Sequence, residues 1–211
     1  MTDLDSKRVI ELATGVEERL GRQIAFILEL DKLKGVIRRS LLIDQSRPEN
    51  TAEHSWHLAM LALVLGERAD PEVDVLRALK AVLVHDIVEI DAGDVYIYDE
   101  QARLDKAESE VAAADRLFGL LPDDQAAELR SLWNEYEARD TPTGRFAYAL
   151  DRLQPLLLNA SSGGGPWIEN NISQSQVRSV NGPIVEGSEQ LWQLASAVID
   201  EAVAAGALRP D

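Results

Sequence analysis

The apolar residues of this chain recur with helical spacing over almost its whole length. Runs that alternate strictly between apolar and polar residues are scarce, so few segments suit a β-strand. Alanine, leucine, glutamate and arginine, which all favour helices, dominate the segments between the prolines and glycines. The pattern therefore predicts an all-α fold, with helices near 5–13, 17–37, 51–69, 73–89, 100–118, 123–138, 143–161 and 188–205, a shorter helix near 173–180, and a loop over 161–167.

The chain has 211 residues, a length that suits one domain whose hydrophobic core is large enough to fold without cross-links. It contains no cysteine, which excludes a disulfide scaffold, a cysteine nucleophile and a thiolate metal site. No apolar stretch reaches the roughly 18–20 residues of a membrane helix, and the N-terminus does not resemble a secretory signal. We therefore expect a cytoplasmic protein that does not enter a membrane.

The net charge of −16 disfavours binding to nucleic acid or to an anionic membrane, because the overall field repels both. One segment departs from this acidity: residues 32–43 contain Lys32, Lys34, Arg38 and Arg39 and no acidic residue. Either these cations lie at the C-terminal end of a helix, where the helix dipole favours them, or they bind a small anionic ligand.

Only three histidines occur, His54, His57 and His85, and two of them lie in apolar surroundings. His54 shares a predicted helix face with leucines four, seven and eleven residues later, so this face should point inward. His85 and Asp86 end the run 79–86, which is apolar apart from Lys80. A buried imidazole needs a polar partner, because burial without one is costly.

Two aspartates also lie in apolar segments, Asp86 directly after His85 and Asp151 within 146–158. Taken singly, each candidate has an ordinary explanation: a hydrogen-bonded core histidine, an aspartate at a helix end, or an aspartate paired with a neighbouring arginine. Together, two imidazoles and two carboxylates suit one divalent ion (Mn²⁺, Co²⁺, Mg²⁺, Zn²⁺, Fe²⁺ or Ni²⁺) and leave positions for water and substrate. The predicted ligands are His54, His85, Asp86 and Asp151.

The order His…His-Asp…Asp on successive helices resembles the HD superfamily of metal-dependent phosphohydrolases. Three segments, ENTAEHSWH (49–57), HDIVEIDAGD (85–94) and ALDRLQ (149–154), resemble the branch that contains the bacterial 5′-deoxynucleotidases. The likeness covers roughly residues 22–160.

This resemblance implies that residues 1–211 form a single HD domain, a helical bundle with the metal site at its centre. Residues 162–208 are then expected to pack on the motif-bearing core, and whether 162–187 covers the site is open. The resemblance also implies a small-molecule nucleotide substrate and a homodimer.

The resemblance matches Glu89 and Asp94 to the catalytic acidic pair of the nucleotidases. Arg39 lies fifteen residues before His54, where the nucleotidases keep an arginine that contacts the substrate phosphate. Ser40 departs from the family pattern, because the nucleotidases place a tryptophan there that helps to discriminate deoxyribose from ribose. Phosphate binding is therefore expected, and the sugar preference is open.

His57 lies three residues after His54 and is expected to lie beside the site without binding the metal. HD proteins with two or more metals generally use additional histidines, and this chain has only one histidine to spare. One ion is therefore favoured. The leading functional prediction is a metal-dependent hydrolase of nucleoside 5′-monophosphates. Two alternatives stay open: hydrolysis of another phosphoester or of a pyrophosphate bond, and a regulatory module that binds a metal or nucleotide without turnover.

Overall fold

The computed structural model describes residues 4–95, 97–98 and 100–211, with residues 100–106 described by their backbone alone. Helices dominate the described chain, so the predicted all-α fold is confirmed. The first part forms α1 (Ser6–Val16), α2 (Glu18–Glu29), strand β1 (Ile37–Leu41), strand β2 (Pro48–Asn50), α3 (Thr51–Leu65), α4 (Val75–Val84) and α5 (Glu89–Ala92). The second part forms α6 (Glu100–Phe118), α7 (Asp123–Ala138), α8 (Pro142–Ser161), α9 (Gly165–Glu169), α10 (Gln174–Asn181), α11 (Ile184–Gly187) and α12 (Glu189–Ala204).

Helix α8 is the central helix of the bundle. It packs against α3, α4, α7, α11 and α12, and its apolar residues belong to the larger of two hydrophobic clusters among the described residues. Because α8 has neighbours on several sides, buried residues occur along its whole length from Thr143 to Leu158. The second cluster joins α2, α6 and α7 to the segment 84–88. None of the described helices is both long and apolar enough to cross a membrane.

Local capping signals fix the starts of the two helices that carry candidate ligands. The Asn50 side chain accepts a hydrogen bond from the Glu53 backbone, and the Glu53 side chain accepts one from the Asn50 backbone, which forms a capping box before α3. At α8 the Thr141 side chain accepts a single hydrogen bond from the Gly144 backbone, and Pro142 occupies the first helical position, where its missing N–H is harmless.

The helix predicted over 17–37 is wrong beyond residue 29. The chain forms a 3-10 helix over Leu30–Gly35 and then enters β1, which pairs antiparallel with β2. The backbone N–H of Thr51 also donates to the Val36 carbonyl at 3.0 Å. This strand pairing outweighs the local preference for a helix. Arg38 and Arg39 of the basic segment therefore lie on a strand and not at the end of a helix.

The helix predicted over 73–89 is wrong as a single element. Helix α4 ends at Val84, a 3-10 helix occupies His85–Val88, and α5 follows directly until Gly93 ends it with a φ of +74°. A change of helix type inside a helical segment is frequent at functional sites. Here it falls on the residues that carry the predicted ligands and catalytic acids.

The loop predicted over 161–167 is partly wrong. Helix α8 continues through Ser161 and α9 begins at Gly165, so the connection is only three residues long. Gly163 and Gly164 adopt positive φ angles there, which glycine allows without steric cost.

Candidate metal centre

Three ligand-type atoms converge at the centre of the bundle. His54 from α3, His85 from the 3-10 helix after α4, and Asp151 from α8 place these atoms within 4.8 Å of one another. All three side chains are buried. The Oδ1 atom of Asp151 lies 2.9 Å from His54 Nε2 and 3.6 Å from His85 Nε2. One carboxylate oxygen therefore faces both imidazoles.

Asp86 lies beside this group. Its Oδ1 atom is 3.0 Å from His85 Nε2, and its Oδ2 atom is 3.7 Å from His54 Nε2. The structure thus brings all four predicted ligands into one buried cluster, and their metal ligation stays a prediction.

The hydrogen bonds of His85 identify the ring nitrogen that can bind a metal. Nδ1 lies 2.8 Å from the carbonyl oxygen of Val82, which only accepts, so Nδ1 carries the hydrogen. In a neutral ring Nε2 is then unprotonated. Nε2 is buried without a hydrogen-bond partner in the described chain, and the 3.0 Å contact to Asp86 does not have hydrogen-bond geometry.

This donor set fits a divalent cation. Two imidazole nitrogens face carboxylates, and a positive charge at this place, from a second proton on the ring or from a metal ion, stabilises the arrangement. Without metal a proton does so: burial acts to lower the pKa of His85, but Asp86 and Asp151 outweigh it and raise the pKa to about 10. Burial likewise acts to lower the pKa of His54, yet the net pKa is raised, with the hydrogen bond to Asp151 contributing.

Arg38 lies inside the acidic part of the cluster. Its side chain is 11% exposed, and Nη1 lies 3.0 Å from Asp86 Oδ2, 3.5 Å from Asp94 Oδ1 and 3.9 Å from Glu89 Oε2. Burial opposes its charge, but the neighbouring carboxylates, Asp86 first, raise the pKa of Arg38 above its usual value. No specific role was predicted for Arg38, yet its guanidinium lies beside both predicted catalytic acids.

Glu89 and Asp94 line a cavity of about 560 Å³ that Asp86 and Asp151 also border. The Thr51 hydroxyl donates to Glu89 Oε2 at 3.0 Å, which orients this carboxylate. The volume falls in the range of roughly 300–1,000 Å³ that small-molecule sites occupy. The predicted catalytic acids therefore lie where a ligand bound beside the predicted metal ligands would contact them.

Arg39 and Ser40 line the same cavity from β1. Arg39 is exposed, whereas Ser40 is buried, so the arginine lies where the cavity meets solvent. Part of the wall comes from Trp167 and Asn181. The segment 162–187, whose relation to the site the sequence left open, therefore contributes to the cavity.

Three side chains hold the cluster in place, and two of them, Tyr136 and Gln154, were not predicted from the sequence. The Tyr136 hydroxyl donates to Asp151 Oδ2 at 2.7 Å, and Arg152 donates to the same oxygen. Gln154 Oε1 lies 3.0 Å from His54 Nδ1. Tyr136 lies on α7, outside the three motif segments, and no feature of the sequence around it pointed to the site. Gln154 had such a feature, since it is a further polar residue in the apolar segment around Asp151.

His57 lies near the cluster but outside its group of ligand-type atoms within the described chain. Its ring is half-buried, and its Nδ1 atom lies 3.2 Å from Gln154 Nε2. This position agrees with the expectation that His57 lies beside the site.

Curated proteins named 5′-deoxynucleotidase are similar to this chain in sequence. The 5′-deoxynucleotidase HDDC2 of Xenopus laevis is 31% identical over 135 residues, which are 64% of this chain and 66% of that protein. Its counterpart in Bos taurus is 30% identical over 150 residues, which are 69% of this chain and 72% of that protein. The matched region thus spans about two thirds of these relatives.

Solved structures and a family model agree with these relatives. A predicted metal-dependent phosphohydrolase from Magnetospirillum magnetotacticum is 52% identical, with a TM-score of 0.87 over 92% of this chain and 100% of that chain. A conserved hypothetical protein from Pyrococcus furiosus, 24% identical with a TM-score of 0.61, shares the fold. The model of the HD domain matches residues 30–192. Because this match covers well over half of the chain, the protein belongs to the HD domain family.

Proposed function

We propose that this protein is a metal-dependent phosphohydrolase that converts nucleoside 5′-monophosphates to nucleoside and phosphate. The observation that carries the proposal is the convergence of His54, His85 and Asp151 beside a cavity of small-molecule size. The names of the relatives support the reaction, since two are 5′-deoxynucleotidases and one is a predicted metal-dependent phosphohydrolase.

In this proposal the metal is held by the buried cluster that unites α3, α8 and the 3-10 helix after α4. A bound divalent ion supplies Lewis acidity, which polarises the phosphate and lowers the pKa of a water molecule. The assigned ligands are His54, His85, Asp86 and Asp151.

Glu89 and Asp94 are assigned the proton transfers. The water oxygen forms a bond to phosphorus while the bond between phosphorus and the 5′ oxygen breaks. One carboxylate of the pair accepts a proton from the water, and this proton passes through the same pair to the leaving 5′ oxygen. Glu89 is the preferred base, because its carboxylate is buried and receives the hydrogen bond from Thr51.

Two arginines are assigned the stabilisation of negative charge in the site. Arg39 binds the substrate phosphate from the edge of the cavity, where a guanidinium can form paired hydrogen bonds. Arg38, fixed against Asp86 and close to Glu89, offsets the charge of the carboxylates around the reacting phosphate. The small side chain of Ser40 leaves room beside Arg39, so we expect weak discrimination between ribose and deoxyribose.

The test is to remove all metal, restore Mn²⁺, Co²⁺, Mg²⁺ or Zn²⁺ separately, and measure phosphate release from ribo- and deoxyribonucleoside 5′-monophosphates. We expect metal-dependent release that Asp86→Ala abolishes. The matched control is Asp91→Ala, since Asp91 pairs with Arg116 at 2.5 Å on the surface and should be dispensable.

Metal binding without release from any monophosphate would contradict the proposal. The same panel would then be extended to pyrophosphate bonds and other phosphoesters. The ratio of ribo- to deoxyribonucleotide turnover measures the effect of Ser40 directly.

The remaining expectations belong to the same proposal. The substrate is a small-molecule nucleotide, the whole chain 1–211 acts as one domain, and the enzyme is a cytoplasmic homodimer. The exposed apolar side chains of Trp56, Leu63 and Val64 on α3 support a contact between two copies.

A further inference from the structure

Gln154 is a buried amide at the centre of the polar cluster. It lies on α8 three residues after Asp151, and it is only 1% exposed. Its Oε1 atom lies 3.0 Å from His54 Nδ1. Its Nε2 atom lies 3.0 Å from Glu49 Oε2 and 3.2 Å from His57 Nδ1. One side chain therefore contacts two imidazoles and a carboxylate.

Glu49 determines which end of this amide faces His54. The Glu49 carboxylate is 2% exposed and only accepts hydrogen bonds, so the atom of Gln154 beside it must be the NH₂ group. The amide oxygen then faces His54. The reverse orientation would bring the amide oxygen against the carboxylate, where two acceptors repel each other.

The amide oxygen in turn determines the tautomer of His54. Because this oxygen only accepts, Nδ1 of His54 carries the ring hydrogen, and Nε2 of the neutral ring has the free lone pair. Nε2 lies 2.9 Å from Asp151 Oδ1 and 3.7 Å from Asp86 Oδ2. The lone pair is therefore directed to the place where the metal is proposed. In the other tautomer the Nε2 position would carry a hydrogen and would not bind a metal.

The same amide engages the third histidine. Its NH₂ group donates to His57 Nδ1, so the lone pair of that nitrogen is directed toward Gln154. His85 needs no such side chain, because the Val82 carbonyl already fixes its Nδ1 hydrogen. The two histidine ligands are thus oriented by different means, a backbone carbonyl for His85 and a replaceable side chain for His54.

We propose that Gln154 is a positioning residue that selects the His54 tautomer required for metal binding. Glu49 supports it by fixing the orientation of the amide, and its Oε1 atom lies 3.5 Å from His54 Nδ1, so its carboxylate favours the same ring hydrogen. The proposal rests on the metal centre of the proposed function and is independent of the substrate. Groups that orient metal-bound histidines contribute substantially to metal affinity in other proteins.

The first test measures metal affinity without any assay of activity. Gln154→Met removes both polar atoms of the amide and keeps a side chain of similar length. In calorimetric titration of the metal-free protein with Zn²⁺, we expect binding about 10- to 100-fold weaker than in the wild type. The matched control is Thr143→Val, which removes a buried hydroxyl on the same helix whose oxygen accepts from the Asp74 backbone N–H, away from the cavity. The affinity of this control should equal that of the wild type.

A second variant, Glu49→Gln, keeps Gln154 but removes the charge that orients it. We expect an affinity between those of the wild type and Gln154→Met. This variant carries the test if Gln154→Met does not fold, which circular dichroism and thermal unfolding report. Wild-type affinity in whichever variants fold would overturn the proposal.

The tautomer is measured directly by long-range ¹H–¹⁵N correlation spectra of the metal-free proteins at an alkaline pH where the His54 ring is neutral, because bound Zn²⁺ would itself impose the tautomer. We expect the wild type to show His54 protonated at Nδ1 and the Gln154→Met spectrum to lose this pattern. An unchanged tautomer in Gln154→Met would overturn the proposal even if affinity fell, because the loss would then reflect packing. A failure of the proposed function is distinct, since it leaves wild-type metal binding intact without phosphate release.

Discussion

Two of the three segments that supply the predicted ligands hold them in different ways. Helix α8 is continuous and presents Asp151 and Gln154 one turn apart, whereas residues 75–92 are divided into α4, a 3-10 helix and α5. Side chains orient the ligand of α8, as the hydrogen bond from Tyr136 to Asp151 illustrates. A backbone carbonyl orients His85 in the divided segment.

This difference shows what a change of helix type contributes to a site. In a regular helix adjacent residues point about 100° apart, so a run of neighbours cannot all face one ligand. The tighter winding of the 3-10 helix at His85–Val88 alters these directions. Asp86, Glu89 and Asp94 consequently line one cavity, although they lie in three consecutive pieces of chain.

The largest expected effect comes from the divided segment. The test removes the proposed base on this segment while the predicted metal ligands remain. Glu89→Gln keeps the size of the side chain and its place beside Thr51 but removes the base. We expect phosphate release to fall about 10²- to 10⁴-fold, as for other general bases, with metal affinity retained in calorimetric titration. The matched control is Glu137→Gln, a carboxylate that lines the same cavity from α7. If the control variant falls as far as Glu89→Gln, the assignment of the base is wrong.

A second test uses pH to probe His85. Its pKa of about 10 in the folded, metal-free protein lies above its ordinary value of 6.5, because Asp86 and Asp151 outweigh the effect of burial. Protonation therefore favours the folded state: this contribution is complete below pH 6.5 and is lost as the pH rises through about 10. We expect the free energy of unfolding, measured with urea, to decrease over this window.

Two controls sharpen this pH experiment. Saturating Zn²⁺ should remove the decrease, since the imidazole gives up its proton when it binds metal. Asp86→Asn should shift the decrease to lower pH, because it removes the largest charge that raises the pKa of His85. A constant free energy of unfolding across the window would show that no proton resides in the metal-free cluster.

The smallest expected effect concerns Gly93, which ends the divided segment. Its φ of +74° and ψ of 165° suit glycine alone, although a Cβ would meet no atom within 4 Å. Gly93→Ala should therefore lower the free energy of unfolding by about 1–3 kcal/mol through strain without a clash. Gly15→Ala is the control, because Gly15 lies inside α1 with open space around it and should raise stability by roughly 0.5–1 kcal/mol. Equal effects in urea denaturation would contradict the strain argument.

Regular helices and ligand types were predictable from the residues. Thr141 and Pro142 predict the start of α8. Asp151 was a candidate ligand because it places a carboxylate in an apolar segment. The resemblance of the motif segments added Glu89, Asp94 and Arg39, which line the cavity together. These predictions depend on patterns within single segments, where periodicity reports which side chains face inward.

The arrangement of Arg38 and Gln154 was not predictable in this way. Arg38 enters the acidic cluster because β1 pairs with β2, a contact between segments that helical periodicity does not reveal. Gln154 gains its role from Glu49 and His54, which lie on elements about a hundred residues earlier in the chain. The sequence shows that a side chain in an apolar segment is polar. Which groups this side chain contacts depends on how distant elements of the chain pack together.

The amino-acid sequence of this protein thus determined the helical class, the family and the set of candidate ligands. Tertiary structure decided where the helix over 73–89 changes type, which arginine reaches the carboxylates and which nitrogen of His54 faces the metal site. The physical reason is that burial and helix propensity act along one segment, whereas strand pairing and hydrogen-bond networks require several segments at once.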